Sequence, residues 1–247
     1  MPRPLPALLA LSLLFPAAAF ADGPDLAKID EVFLKRIDPA AAKEQEALLA
    51  EAMKAKPEDP QVLWRQARWN AWKADTMSGD AKKDLGKQTW ELGDKIVKLD
   101  PKLAEGPYFG ALGVGQYSQG AGILNALAQG LEGKFNDRLD KAIQMNASLD
   151  NGGPMLAKGR YFFSLPWPKR DLAKSADWYN KVLAKHPYNV RAHLYLAETL
   201  LADGKAKDAK AHLDAALAGS DTYDPSEVAR VRSMAKNLQP QIEKELK

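Results

Sequence analysis

The chain has 247 residues, 46% hydrophobic and 27% charged, which suffices for a sizeable core and argues against disorder in its body. With 35 basic and 32 acidic residues the formal net charge is +3, too near balance for nucleic acid to be the main partner. There is no cysteine, which excludes disulfides, thiolate catalysis and thiolate metal sites.

The chain opens with Arg3, an apolar run from Leu5 to Phe15, and small residues ending in Ala19-Phe20-Ala21. This is the layout of a cleaved export signal, with the cut expected between Ala21 and Asp22. The apolar run falls short of the ~20 residues a spanning helix needs, and no later segment supplies them. Loss of residues 1–21 removes Arg3 alone among the charges, leaving 34 basic and 32 acidic residues. The expectation is an exported, periplasmic protein with no stable membrane anchor, residues 22–247 forming one domain.

Helices follow in sequence order. Amphipathic stretches run over 41–55 (Ala47, Leu48, Ala52), 82–99 (Leu85, Leu92, Ile96, Val97), 135–149 (Leu139, Ala142, Ile143) and 171–185 (Ser175, Tyr179, Val182). Each stretch ends at a stop: Lys56-Pro57, Asp100-Pro101, Asp150-Asn151-Gly152-Gly153 and His186-Pro187. A second helix follows each stop, at about 60–74, 104–117, 153–164 and 189–202, and a charged terminal helix near 225–246 suits an end cap in water. The apolar insertion 118–134 reads either as a longer helix packed on its neighbour or as a wall over an apolar ligand. The glycines at 106, 110, 113 and 115 read as sites of close helix contact, since no strand precedes them and no Gly-Lys-Ser follows.

The most regular unit is 188–219, where Ala192, Leu196, Ala197 and Leu200 share one helix face and Ala209, Leu213, Ala216 and Leu217 another. With Val190 as position one, Ala197, Ala209 and Ala216 take the three small-residue positions of a tetratricopeptide repeat, which this unit resembles. The fold expected is all-α: an α-solenoid of about four to five such helix hairpins with a C-terminal capping helix.

A narrower resemblance rests on Gly152-Gly153-Pro154, Gly159-Arg160-Tyr161, Leu165-Pro166-Trp167-Pro168 and His193-Leu194-Tyr195-Leu196-Ala197-Glu198, with Tyr108-Phe109-Gly110-Ala111 and Gly122-Ile123-Leu124 upstream. Over about residues 55–219 the chain resembles the T component associated with TRAP transporters. That resemblance implies an adaptor for a transporter's solute-binding protein, or alternatively a cleft for a hydrophobic or carboxylate small ligand. Members are commonly lipoproteins, and this chain has no cysteine to carry a lipid.

Catalytic equipment is sparse. His186, His193 and His212 are the only histidines, without metal-ligand spacing, and no Gly-x-Ser-x-Gly turn occurs. The expectation is a binding protein, not an enzyme, with no cofactor and no metal; homo-oligomerisation stays open. Counting from the stops, the concave groove gathers Trp64, Arg68, Trp72, Tyr108, Leu112, Leu156, Arg160, Phe163, Arg191, Leu194, Glu198 and Leu201. A one-residue shift exchanges Trp64 and Arg68 for Trp69 and Trp72, and the sequence leaves that register open. Arg160 and Arg191 are the guanidinium groups expected to meet a carboxylate.

Overall fold

The structure, a computed structural model, describes residues 23–220 and 224–247. The expected export signal lies outside the described residues. Twelve α-helices and one short 3-10 turn account for the secondary structure among the described residues, where no strand occurs. No described helix is long and apolar enough to cross a membrane. The architecture is all-α, a helical-repeat arrangement.

Helix α1 (Leu26–Phe33), which periodicity alone did not reveal, is followed by α2 (Pro39–Ala55), α3 (Pro60–Asp75), α4 (Gly79–Leu99) and α5 (Glu105–Ala121). Capping aspartates start three of these, Asp25, Asp38 and Asp59 each accepting a backbone N–H of the first turn. Proline follows the cap in α2 and α3, where its missing N–H costs nothing. The apolar insertion is neither a plain loop nor one long helix. Gly122, at φ 90, turns the chain out of α5 into the short α6 (Ile123–Ala128), and Gly130, at φ 68, turns it again into α7 (Leu131–Asn146). The second half contains α8 (Gly153–Ser164), α9 (Leu172–Lys185), α10 (Val190–Ala202), α11 (Ala206–Leu217) and α12 (Pro225–Glu245).

Helices α4 and α5 touch backbone to backbone. A Cβ added to Gly93 would lie 2.4 Å from Gly110, and one added to Gly113 would meet the Trp90 nitrogen, so glycine here permits the approach. Around this pair the core divides. Ile29, Phe33, Leu49, Ala52, Val62 and Trp69 hold α1, α2 and α3 together. Ala67, Tyr108, Phe109, Leu139 and Ala142 form the middle, and Val190, Leu194, Leu196, Ala209, Leu213 and Ala216 pack α10 and α11 on α12. The three alanines of the regular unit are fully buried, as close helix packing requires.

Helix α12 is more than a solvated cap. Val228, Val231, Ala235, Leu238 and Ile242, spaced by three, four, three and four, are buried against α10 and α11. Its first turn returns to the beginning of the protein. Arg36, in the turn after α1, donates to both oxygens of Asp224 at 3.0 and 2.9 Å, across 188 positions of sequence. Ser226 Oγ accepts from the Ile37 N–H and donates to the Leu34 carbonyl. The solenoid therefore curls until its two ends meet, and the space inside becomes a chamber.

Candidate functional site

The chamber has a volume of about 510 Å³, within the range of small-molecule sites. Its walls come from α1, α3, α5, α6, α7, α8, α10 and α12, with Lys82 reaching in from α4. One region is ionic. Arg191 donates to Asp75 at 2.8 Å and pairs with Glu227; Arg230 reaches the same Asp75 at 3.3 Å and the Trp72 carbonyl at 3.1 Å; Arg36 holds Asp224. Aromatic faces carry these cations: Arg36 lies over Phe33 at 3.9 Å and over Trp72 at 4.0 Å, while Arg68 covers Phe33 at 3.8 Å. The other region is apolar, lined by Leu112, Ile123, Ala126, Leu127, Leu131 and Phe135 from α5, α6 and α7. The insertion is thus a chamber wall. Glu132 on that side is taken by Tyr161 Oη at 2.6 Å and Lys169 Nζ at 2.5 Å.

The guanidinium groups are crowded together, each with a carboxylate near it: Arg68 donates to Asp30 at 2.6 Å and Arg160 to Glu198. Burial pushes Arg230 down to about 10, and repulsion from Arg191 and Arg36 works in the same direction against the attraction of Asp75. Lys82 is lowered by burial and by Arg160, despite Asp75. Arg36 Nε, Arg68 Nε and Gln116 Oε1 are buried without a hydrogen-bond partner, although the two guanidinium groups bond Asp224 and Asp30 through their other nitrogens. Asp150 faces the cavity and accepts from Tyr108 Oη at 2.9 Å. The surrounding protein pushes its carboxyl upward, against the Tyr108 hydrogen bond and Arg68.

Seven of the expected groove residues border the chamber: Arg68, Trp72, Tyr108, Leu112, Leu156, Arg160 and Arg191. The other five do not. Leu194 is fully buried and Leu201 packs beside it in the α10–α12 core; Trp64 donates to Gln61 Oε1 and shields the Arg65 guanidinium. Phe163 lies against Arg160 and Arg170, and Glu198 binds Arg160 at 2.5 Å. The open register resolves in a mixed way. Arg68, Ala71 and Trp72 face the chamber, whereas Trp69 is buried against α1 and α2. Arg160 and Arg191 also depart from expectation, since protein carboxylates already occupy them.

Sequence reasoning missed Phe33, Arg36, Asp75, Lys82, Asp150, Asp224, Glu227 and Arg230. The signal for the last group was present: Glu227, Arg230 and Met234 form a second stripe on α12, beside its core stripe. Among the described residues no group of three or more potential metal ligands gathers.

A model of the family described as Regulator of microtubule dynamics protein 1-3 (RMD1-3) matches residues 25–239. The chain belongs to this family. No curated protein matches the sequence. RMD1-3 membership overturns the expected kinship with the transporter-associated T component, and the tetratricopeptide family assignment with it. The periplasmic adaptor for a solute-binding protein falls for the same reason, and the family match lends nothing to the small-ligand alternative as drawn from that resemblance. Small residues at helix contacts and prolines at helix ends are demands of helix-pair packing itself, so they recur whichever family supplies the pairs.

Proposed function

We propose that this RMD1-3 protein acts by binding, without catalysis, and that its chamber takes an elongated ligand with an apolar body and one anionic end. The observation that carries the reading is the division of the chamber between a continuous arginine-rich network and a continuous apolar wall. The guanidinium groups of Arg36, Arg191 and Arg230, gathered at one end of the chamber, favour a carboxylate or similar anion, because a guanidinium pairs strongly with such a group. The apolar wall from Leu112 to Phe135 suits an alkyl chain or an apolar side-chain surface. The family's description names regulation of microtubule dynamics. For this chain that role is proposed as regulation through what the chamber holds.

Against catalysis stands the engagement of the ionisable groups. Asp75, Asp224 and Glu227 are bound by arginines, and Asp150 by Tyr108. The test is a fluorescence titration of the protein with a dansyl-labelled long-chain fatty acid. Leu127→Arg, which places a charge in the apolar wall, is expected to abolish saturable binding while the helical circular dichroism is retained. Equal binding by this variant and the parent would overturn the assignment of the apolar end.

A further inference from the structure

The joints of the closed ring are not alike. Successive helices are joined by apolar clusters, one uniting α1, α2 and α3, another α10, α11 and α12. Neither cluster includes a residue of the other, and what joins these two groups is ionic and hydrogen-bonded contact, with the Arg230 guanidinium laid on the Trp72 ring. Arg36 grips Asp224, Ser226 Oγ is hydrogen-bonded to the Leu34 carbonyl and the Ile37 N–H, and Arg230 donates to the Trp72 carbonyl. Asp75 receives Arg191 and Arg230. The seam also borders the chamber, which Phe33, Arg36, Trp72, Asp224, Glu227 and Arg230 line.

Polar and apolar joints differ in how they yield. Opening an apolar joint exposes surface at about 25 cal/mol per Å², whereas charged groups leaving a partner regain the water they lost on pairing, which offsets much of a buried pair's attraction. Local opening follows the weakest joint. At this seam the breaking contacts are ion pairs, hydrogen bonds and the Arg230–Trp72 stack beside the cavity, and the apolar stripe of α12 stays docked on α10 and α11.

We propose that the seam between the turn after α1 and the first turn of α12 is the entry gate of the chamber: it opens by separation of Arg36 from Asp224 and of Leu34 and Ile37 from Ser226, while α12 keeps its apolar contacts. The proposal rests on the binding function above for what passes through. The opening itself can be measured without any ligand.

Because the chain contains no cysteine, every thiol used is a reporter. Ser226 and Val231 are both fully buried on α12, one at the seam and one in the α10–α12 core. In the ligand-free full chain, a Ser226→Cys thiol is expected to react with a water-soluble disulfide reagent at least about tenfold faster than a Val231→Cys thiol, a difference of about 1.4 kcal/mol in opening. Asp224→Asn accelerates the first thiol and not the second. Equal rates, or a first rate insensitive to Asp224→Asn, overturn the gate.

The second variant, Ile37→Cys with Ser226→Cys, closes the seam covalently. Release of bound dansyl fatty acid is expected to slow about tenfold or more on oxidation and to recover on reduction. Unchanged release in the oxidised form overturns entry by this route. Failure of the probe to bind in any form, with the labelling difference intact, overturns the binding function and leaves a polar seam that opens.

Discussion

Arg191 on α10 reaches Asp75 at the end of α3, 2.8 Å away and 116 positions earlier in the chain. Asp75 is the counter-ion that Arg191 shares with Arg230. Removing its charge leaves two guanidinium groups side by side. Asp75→Asn is expected to lower the urea-unfolding free energy by about 1–2 kcal/mol, below the value for a fully buried pair because Asp75 is partly exposed. The same variant is expected to bind a fatty-acid carboxylate more tightly. Burial works to raise the Asp75 carboxyl, but Arg191 and Arg230 hold it below its usual value of 3.8. Its stabilisation is therefore present above that pH and is lost as the pH falls through the lowered value.

Asp150 has the opposite sign. Burial raises its carboxyl above 3.8 in the folded chain, so its contribution is favourable below that pH and is lost as the pH rises through the raised value. Asp150→Asn is expected to stabilise the protein at neutral pH relative to acid, measured by the pH dependence of the urea midpoint. It is also expected to tighten anion binding, since it removes a negative charge facing the cavity.

His193 and His212 meet Nδ1 to Nδ1 at 3.0 Å, and His193 Nε2 faces the Pro187 carbonyl at 3.1 Å. A carbonyl demands a donor, so His193 carries its proton on Nε2 and accepts at Nδ1 from His212. Burial lowers both rings below 6.5, with His193 adding to the effect at His212, while Pro187 and Asp208 act the other way. Their stabilising contribution is present above that pH and lost as the pH falls through the lowered values. The unfolding midpoint is expected to fall between neutral pH and pH ~5, and His212→Asn should flatten that dependence.

Gly93 and Gly133 separate packing from propensity. Gly93→Ala drives a methyl group into the Gly110 backbone at 2.4 Å and is expected to cost about 3 kcal/mol in thermal or urea unfolding. Nothing lies within 4 Å of the corresponding Cβ at Gly133 on α7, where alanine is expected to stabilise by about 0.5–1 kcal/mol.

The helices were legible because their causes are local. Proline stops, capping aspartates and three-four periodicity place α8 at 153–164 and α10 within one residue of its start. Helix α1 escaped because its eight residues give barely two turns of pattern. The chamber was only half legible. Arg68, Trp72, Tyr108 and Arg191 follow from counting along helices, but Arg36, Asp224 and Arg230 depend on the two ends meeting, and no local pattern encodes ring closure. The family was misread because the residues used, alanines and glycines at contacts, report helix packing and not ancestry.

The central claim, a chamber for an amphipathic anion, is tested most directly by equilibrium titration of the parent protein with a dansyl-labelled long-chain fatty acid and with its methyl ester. The two share an apolar body and differ in the charge offered to Arg230 and its neighbours. Saturable binding of the acid, at least about tenfold tighter than the ester and weakened about tenfold by Arg230→Gln, is the predicted result. Equal affinity for acid and ester, or no saturable binding of either, contradicts the account.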